Sequence, residues 1–193
     1  MSQTDERRAR VERIFADAVA AHEAAVREGH DALLRVVEAL LDAFGRGAKV
    51  LIFGNGGSAA DAQHFAAELV GRFQRDRRGA PALALSTDTS IVTAVANDYG
   101  FERVFARQVE ALGASGDVAI GISTSGRSPN VLAAFAAART RGLTTVAFTG
   151  GDGGPLGREA DIHVRVPHVV TARVQEVQRT QMHAICELVE EGL

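Results

Sequence analysis

The sequence has no tryptophan and a single cysteine, Cys186, among its 193 residues. One cysteine cannot form an internal disulfide, so a reducing cytoplasm is the expected compartment. No apolar run is long enough to span a bilayer and no secretory signal pattern is found, so no membrane partner is expected. A net charge of −3 also gives no reason to expect a nucleic-acid surface. The absences favour a cytoplasmic globular protein.

Short apolar segments alternate with helical segments along most of the chain. Such alternation predicts a parallel sheet that is covered by helices on both faces. We therefore predict one α/β domain over residues 1–193, a three-layer αβα arrangement of the doubly wound, flavodoxin-like kind. Its five predicted strands are 49–53, 82–85, 117–122, 144–148 and 161–166.

The first 47 residues precede the first strand and show helical periodicity that is interrupted near Gly29. An apolar stripe runs along the first half, at Val11, Ile14, Phe15, Ala18 and Val19. A helix placed before the first strand has little of its own sheet to cover. We predict that residues 1–47 serve oligomerisation and that residues 48–193 form the α/β core.

A glycine-rich turn follows the first predicted strand. Gly54, Gly56 and Gly57 allow the backbone to bend sharply and to approach a ligand closely. Ser58, with an acidic residue three positions later, is a capping signature and predicts a helix that begins near Ser58. This turn lies at the carboxyl edge of the predicted sheet, where open α/β sheets bind ligands.

The same turn satisfies a loose dinucleotide-binding fingerprint through Gly54, Gly56 and Ala59. That fingerprint requires an acidic residue after the next strand to bind a ribose, but Ser86 and Thr87 stand there. The chain is also short for a separate substrate domain. We expect no nucleotide cofactor.

Polar residues of the following helix, Asp61, His64 and Glu68, lie on one face. His64 and Glu68 could be a metal pair, a catalytic pair or a structural ion pair, and alone they favour the structural alternative. Gln175 and His183 on the last predicted helix change that balance. Eight helical residues span about 12 Å, so both reach one centre only with extended side chains. Alternatively, one of them comes from another subunit.

The charged connection after this helix is predicted to be a solvated loop, including Arg75, Arg77 and Arg78. Arg72 differs, because it lies one turn beyond the helix's acidic residue and could face an anionic ligand or a neighbouring carboxylate. The isolated histidines are predicted to be structural or on the surface: His22, His30 and His163.

Hydroxyl side chains follow the third predicted strand, at Ser123, Thr124, Ser125 and Ser128. A helix begins just after them, with Pro129 at its first position. Backbone N–H groups and the positive end of a helix favour phosphate, and hydroxyls add donors. An ordinary capped turn needs one hydroxyl, so four predict a phosphate site. No P-loop lysine follows, which argues against a nucleoside triphosphate.

Together these segments resemble the sugar isomerase (SIS) domain family, and within it the phosphoheptose isomerase branch. The resemblance covers nearly the whole chain, and its motifs occur in the family's order. Those motifs are Gly54–Ser58, Asp61–Glu68, Ala96–Gly100, Gly121–Gly126, and Val174–Val177 with His183.

The resemblance implies a homotetramer with active sites shared between chains. It also implies conversion of sedoheptulose 7-phosphate to D-glycero-D-manno-heptose 7-phosphate, the first step toward nucleotide-activated heptose. The phosphate would be bound by residues that match the family's phosphate site: Ser123, Thr124, Ser125 and Ser128. The sugar would be bound or its pocket shaped by Asn55, Gly56, Gly57, Asn97 and Asp98, with Glu68 and Gln175 also at the substrate.

By the same resemblance, Glu68 and His183 would be the acid/base pair. Some family members hold zinc with the residues that match His64, Glu68, Gln175 and His183, so one zinc ion per subunit is expected. A carboxylate suits transfer of a carbon-bound proton, and an imidazole suits transfer between oxygens. Zinc could polarise the carbonyl instead, although a zinc-bound carboxylate is a poorer base.

A second functional class stays open at this point. Non-catalytic relatives that bind the bacterial replication initiator resemble this chain through Ser58–His64 and Ala96–Asp98. Those relatives lack counterparts of the acid/base pair, whereas Glu68 and His183 are both present here. A phosphosugar-sensing regulator would usually add a DNA-binding domain, which we do not expect here. The isomerase is therefore favoured.

Overall fold

The computed structural model describes residues 2–193 and contains helices and strands in regular alternation. The strands are β1 (Val50–Gly54), β2 (Ala82–Ala84), β3 (Val118–Ser123), β4 (Thr144–Gly150) and β5 (Ile162–Val166). The helices are α1 (Gln3–Glu28), α2 (Asp31–Gly45), α3 (Gly57–Val70), α4 (Thr89–Tyr99), α5 (Val104–Leu112), α6 (Pro129–Thr140), α7 (Gly154–Glu159) and α8 (Thr171–Gly192). Within residues 2–193, none of the helices has both the length and the apolar composition to cross a membrane.

The strands form one sheet in the order β2-β1-β3-β4-β5, and every neighbouring pair is parallel. This order is that of a doubly wound, flavodoxin-like sheet, in which the chain reverses its winding direction between β1 and β3. Gly54 of β1 pairs with Ile122 of β3, so the two carboxyl ends lie side by side. The predicted fold class is confirmed, and its ligand-binding edge lies where the glycine turn and the hydroxyl loop begin.

Each face of the sheet has its own layer of helices and its own core. Because successive side chains of a strand point to opposite faces, Ile52 and Leu51 belong to different cores. α2, α3 and α8 cover the face of Ile52 and Ile120. α4, α5, α6 and α7 cover the face of Leu51 and Phe53. The acid/base candidates on α3 and α8 therefore share one layer, which is the first requirement for a common site.

Helix α1 packs against α8 and β5 along one side only. Ala21 is buried there, and the imidazole Nε2 of His22 lies 3.0 Å from the hydroxyl of Thr180. Much of the predicted apolar stripe is left uncovered by this contact: Phe15 is 69% exposed and Val19 is 58% exposed. Its use in oligomerisation stays a prediction that this exposure supports.

Helix α3 begins one residue earlier than its capping signature indicates. Its N-cap is Gly56, whose φ of +55° suits glycine, and Ser58 is buried inside the first turn. A Cβ on Gly54 would lie 2.8 Å from the Cβ of Ser58, so the serine packs directly onto the end of β1. Close packing therefore replaces the expected side-chain cap.

Two further boundaries differ from the sequence-based expectation. Asn97 and Asp98, expected in a polar turn, belong to α4, which ends where Gly100 adopts a φ of +85°. Helix α7 was not predicted, because its glycine-rich sequence carries only one large apolar residue, Leu156. That leucine is fully buried, so packing onto the sheet stabilises a helix that local propensity does not favour.

Candidate active site

The turn between β1 and α3 allows two close approaches that a larger residue would prevent. A Cβ on Gly54 would lie 2.8 Å from the carbonyl oxygen of Ile122, so β1 and β3 approach closely here. A Cβ on Gly57 would lie 2.4 Å from Nε2 of Gln175. The absent side chain lets the Gln175 amide of α8 rest on the first turn of α3. Gln175 is thereby brought to the sheet's ligand-binding edge.

Asn55 joins this turn to the loop after β3. Its amide nitrogen donates to Oδ1 of Asn130 at 2.9 Å, and the amide of Asn130 donates back to Asn55 at 2.8 Å. Asn130 is 3% exposed and lies at the start of α6. Asn130 was not among the predicted site residues, although a polar residue directly after Ser-Pro at a helix start was a usable signal. The reciprocal pair fixes the glycine turn against the hydroxyl loop.

The hydroxyl loop folds around the N-terminus of α6, as predicted for a phosphate site. Ser128 is the N-cap residue and Pro129 the first helical residue, but the Ser128 hydroxyl lies 2.9 Å from that of Ser123 rather than capping the helix. Thr124 is half-buried and Ser125 is exposed. All four predicted hydroxyl residues thus occupy one loop at the positive end of a helix, where an anion is favoured.

Gly126 holds this loop in shape. Its φ is +64°, and a Cβ there would lie only 2.0 Å from the carbonyl oxygen of Gly153. Two backbone hydrogen bonds fix the loop further. The N–H of Gly150 donates to the carbonyl oxygen of Thr124 at 2.9 Å, and the N–H of Leu156 donates to that of Gly126 at 3.0 Å. The unpredicted α7 therefore supports the hydroxyl loop, and a larger residue at position 126 would displace that loop.

His64, Glu68 and His183 come together between α3 and α8. The Nε2 atoms of the two imidazoles are 2.9 Å apart, and Oε1 of Glu68 lies 3.5 Å from Nε2 of His64. One imidazole must donate and the other accept in such a contact, so the two rings hold complementary tautomers. The Glu68 side chain keeps 22% of its surface exposed. A ligand can therefore reach a carboxylate and an imidazole at one point.

A cavity of about 570 Å³ opens between α3 and α8. Gln175 and His183, two turns apart on α8, both line this cavity, so both reach it within a single chain. Buried Asp61 accepts a hydrogen bond from Nε of Arg179 at 3.2 Å on the same wall. His22 also lines the cavity, although it was predicted to be isolated. Its position depends on α1 packing against α8, which no local pattern reveals.

Arg77 corrects the prediction of a solvated loop after α3. Its side chain is 7% exposed, and it donates to the carbonyl oxygens of Glu68 and Leu69, each at 2.8 Å. These carbonyls belong to the last turn of α3, where helices leave acceptors without an intrahelical partner. Arg75 and Arg78 are exposed, as predicted, and so is Arg72.

Asn97 and Asp98 do not share the helical layer of the candidates on α3 and α8. They lie on α4, in the opposite helical layer from α3 and α8. The Asn97 amide donates a hydrogen bond of 2.8 Å to the Asp98 carboxylate, and within residues 2–193 neither side chain makes another. Their contact with a sugar stays a prediction.

The donor set around His64 suits zinc by its chemistry. Imidazole nitrogens and a carboxylate oxygen are zinc ligands, and the amide of Gln175 lies on the wall of the adjoining cavity. Across residues 2–193, however, no three or more His, Cys, Asp or Glu side chains are grouped so that they could hold a metal ion. Two nitrogens on one tetrahedral zinc would be about 3.3 Å apart. At their separation of 2.9 Å, the imidazoles of His64 and His183 would have to move apart slightly.

Comparison with known proteins identifies the family of the chain that carries this site. The family model of the SIS domain matches residues 14–150. The chain belongs to the SIS domain family. It is 58% identical over 161 residues to the phosphoheptose isomerase of Roseiflexus sp. (strain RS-1). The aligned residues cover 83% of this chain and 82% of that protein.

Solved structures of SIS relatives have the same fold over nearly the whole length. The phosphoheptose isomerase of Neisseria gonorrhoeae superposes with a TM-score of 0.90 at 43% identity, covering 95% of this chain and 98% of that one. That of Francisella tularensis superposes with a TM-score of 0.92 at 34% identity, covering 99% and 100%. The full coverage includes α1 and α2, so the N-terminal helices are part of the shared fold.

Proposed function

We propose that this protein is a phosphoheptose isomerase. It interconverts sedoheptulose 7-phosphate and D-glycero-D-manno-heptose 7-phosphate, the first step toward nucleotide-activated heptose. The observation that carries this proposal is the meeting of Glu68, His64 and His183 between α3 and α8, with His183 and Gln175 on the wall of one cavity. Relatives that are 53–58% identical carry the same name, which supports the substrate class.

Substrate binding starts from the two loops at the switch point. The phosphate would lie at the N-terminus of α6, where the hydroxyls of Ser123, Thr124, Ser125 and Ser128 and free backbone N–H groups donate to its oxygens. Asn55, Gly56 and Gly57 would line the sugar chain, and the space beside Gly56 is open because nothing lies within 4 Å of the position that a Cβ would take. Asn97 and Asp98 would contact the sugar in the site of a neighbouring subunit.

Proton transfer would follow an enediol route. Glu68 would take the proton from C1 of the ketose and return it to C2. His183 would donate a proton to the oxygen at C2 and accept the proton from the oxygen at C1, so that the isomerisation balances. His64 lies between the two groups, 2.9 Å from His183 and 3.5 Å from Glu68, and holds their orientation. General acid/base groups of this kind contribute about 10² to 10⁴ in rate.

We also propose one zinc ion per subunit, held by His64, Glu68, Gln175 and His183. When bound, zinc would polarise the substrate carbonyl. Purified protein is expected to contain about one zinc per chain, and chelation is expected to lower both metal content and activity. The measurements are elemental analysis and turnover before chelation, after chelation and after zinc is restored. Full activity in metal-free protein would exclude a catalytic zinc.

The assembly that we propose is a homotetramer, in the cytoplasm, with active sites shared between chains. The exposed apolar stripe of α1 supports an oligomer, because contiguous apolar surface usually marks an interface. The position of Asn97 and Asp98, away from α3 and α8, supports sharing. The single cysteine supports a reducing compartment.

The decisive experiment is incubation of the purified protein with sedoheptulose 7-phosphate, followed by NMR detection of the aldose product. Turnover is expected, and fructose 6-phosphate as a shorter substrate is expected to react far more slowly. The second candidate is a non-catalytic protein that binds the replication initiator. No turnover, together with stoichiometric binding of that initiator, would establish the second candidate and refute the first.

A further inference from the structure

Glu190, near the end of α8, is a buried carboxylate in an unusual environment. Its side chain is 2% exposed, and it accepts backbone hydrogen bonds from Phe73 at 3.0 Å and from Gln74 and Arg75 at 2.8 Å each. Consecutive N–H groups that converge in a turn form an anion-binding concavity. Burial alone would raise the pKa of Glu190, but these bonds and Arg77 hold that pKa below its usual value. The carboxylate is therefore built into the loop that follows α3.

Arg77 connects this carboxylate to the helix that bears Glu68. Its Nε lies 3.5 Å from Oε1 of Glu190, and its two terminal nitrogens donate to the carbonyls of Glu68 and Leu69. A single guanidinium thus spans from α8 to the last turn of α3. Because the last carbonyls of a helix lack intrahelical partners, this contact limits fraying of the turn from which the Glu68 side chain extends.

Phe73 connects the same carboxylate to His183. The Phe73 ring centroid lies 5.5 Å from that of the His183 imidazole, and its backbone N–H is one of the three bonded to Glu190. Glu190 and His183 are seven residues apart on α8, so they lie on the same face of the helix. Glu190 therefore fixes the backbone of this loop, and the Phe73 side chain of the same loop packs against the His183 imidazole.

We propose that Glu190 is a positioning residue for the acid/base pair, acting on Glu68 through Arg77 and on His183 through Phe73. This inference rests on the proposed isomerase function. Glu190 itself touches no reacting atom. Its effect is geometric, because the two groups stand on different helices and must keep a fixed separation. A misplacement of about 1 Å can lower a rate by 10²-fold.

The test compares Glu190→Gln with Glu191→Gln. The first change keeps the side-chain shape but replaces one acceptor oxygen with an NH₂ group. The second removes the same charge from the next residue, which is exposed and 3.4 Å from Arg75. In Glu190→Gln, kcat is expected to fall about 10- to 100-fold while KM changes little, because orientation and not binding is lost. Glu191→Gln is expected to match the wild type.

A second pair of variants covers the case in which Glu190→Gln does not fold. Phe73→Leu is expected to lower kcat about tenfold by freeing the imidazole, and Phe73→Tyr, which keeps the ring, is expected to restore it. A merely structural role would lower the melting temperature of Glu190→Gln or Phe73→Leu without changing kcat of the folded protein. That result would overturn the inference.

An NMR measurement separates this inference from the proposed function. The nuclear Overhauser contact between the Phe73 ring and the His183 imidazole is expected in the wild type and in Glu191→Gln, and is expected to weaken in Glu190→Gln. If the wild type fails to turn over sedoheptulose 7-phosphate, the function fails, but the contact still reports whether Glu190 positions His183. An unchanged contact in folded Glu190→Gln would refute the positioning role.

Discussion

Replacement of Glu68 by glutamine is expected to lower kcat for sedoheptulose 7-phosphate by about 10³-fold, within the range of a general base. The amide keeps the size of the side chain but cannot take a proton from C1. KM should change much less, because the phosphate is proposed to bind at the separate loop of Ser123 to Ser128. The side chain is partly exposed and is not a core residue, so the variant should fold normally.

The measurement is solvent deuterium incorporation at the sugar carbon, followed by NMR together with turnover. The wild type is expected to exchange the proton with D₂O during isomerisation, and Glu68→Gln is expected to lose exchange and turnover together. Glu187→Gln is the matched control, since Glu187 is exposed on α8 and its replacement removes the same charge. Undiminished exchange in Glu68→Gln would remove this residue from the role of base.

Replacement of Phe15 by aspartate is expected to dissociate the proposed homotetramer. Phe15 is 69% exposed in the single chain, so the change removes little from the chain's own core. Burial of one phenylalanine contributes about 1.5–3 kcal/mol, and a symmetric interface repeats the loss in each copy. The dissociation constant should therefore rise by at least about 100-fold, since 2.7 kcal/mol corresponds to that factor.

Light scattering coupled to size exclusion measures the mass, and the turnover of each peak measures activity. Arg13→Asp is the control, because Arg13 lies on the opposite face of α1 and its replacement also adds an acidic residue. If active sites are shared between chains, the dissociated variant should lose activity while it remains folded. A variant of unchanged mass would show that the α1 stripe is not the interface.

The sequence by itself determined the features that depend on local patterns. Buried parallel strands are continuous apolar runs, so all five were located to within a few residues. The glycine turn after β1 and the hydroxyl loop after β3 were visible because the chemistry of each is contained in one short segment. The order of these segments, with Gly54–Ser58 and Gly121–Gly126, was also sufficient to indicate the SIS family.

Only the tertiary structure decided how separate segments meet. Arg77 has the sequence context of a solvated loop, and its burial depends on Glu190, which lies 113 residues away in the chain. His22 lines the cavity because α1 packs on α8. Asn130 belongs to the site because its side chain is hydrogen-bonded to that of Asn55. Helix α7 forms because the sheet buries Leu156. Such contacts depend on packing between distant elements, whereas periodicity and capping describe only a residue's near neighbours.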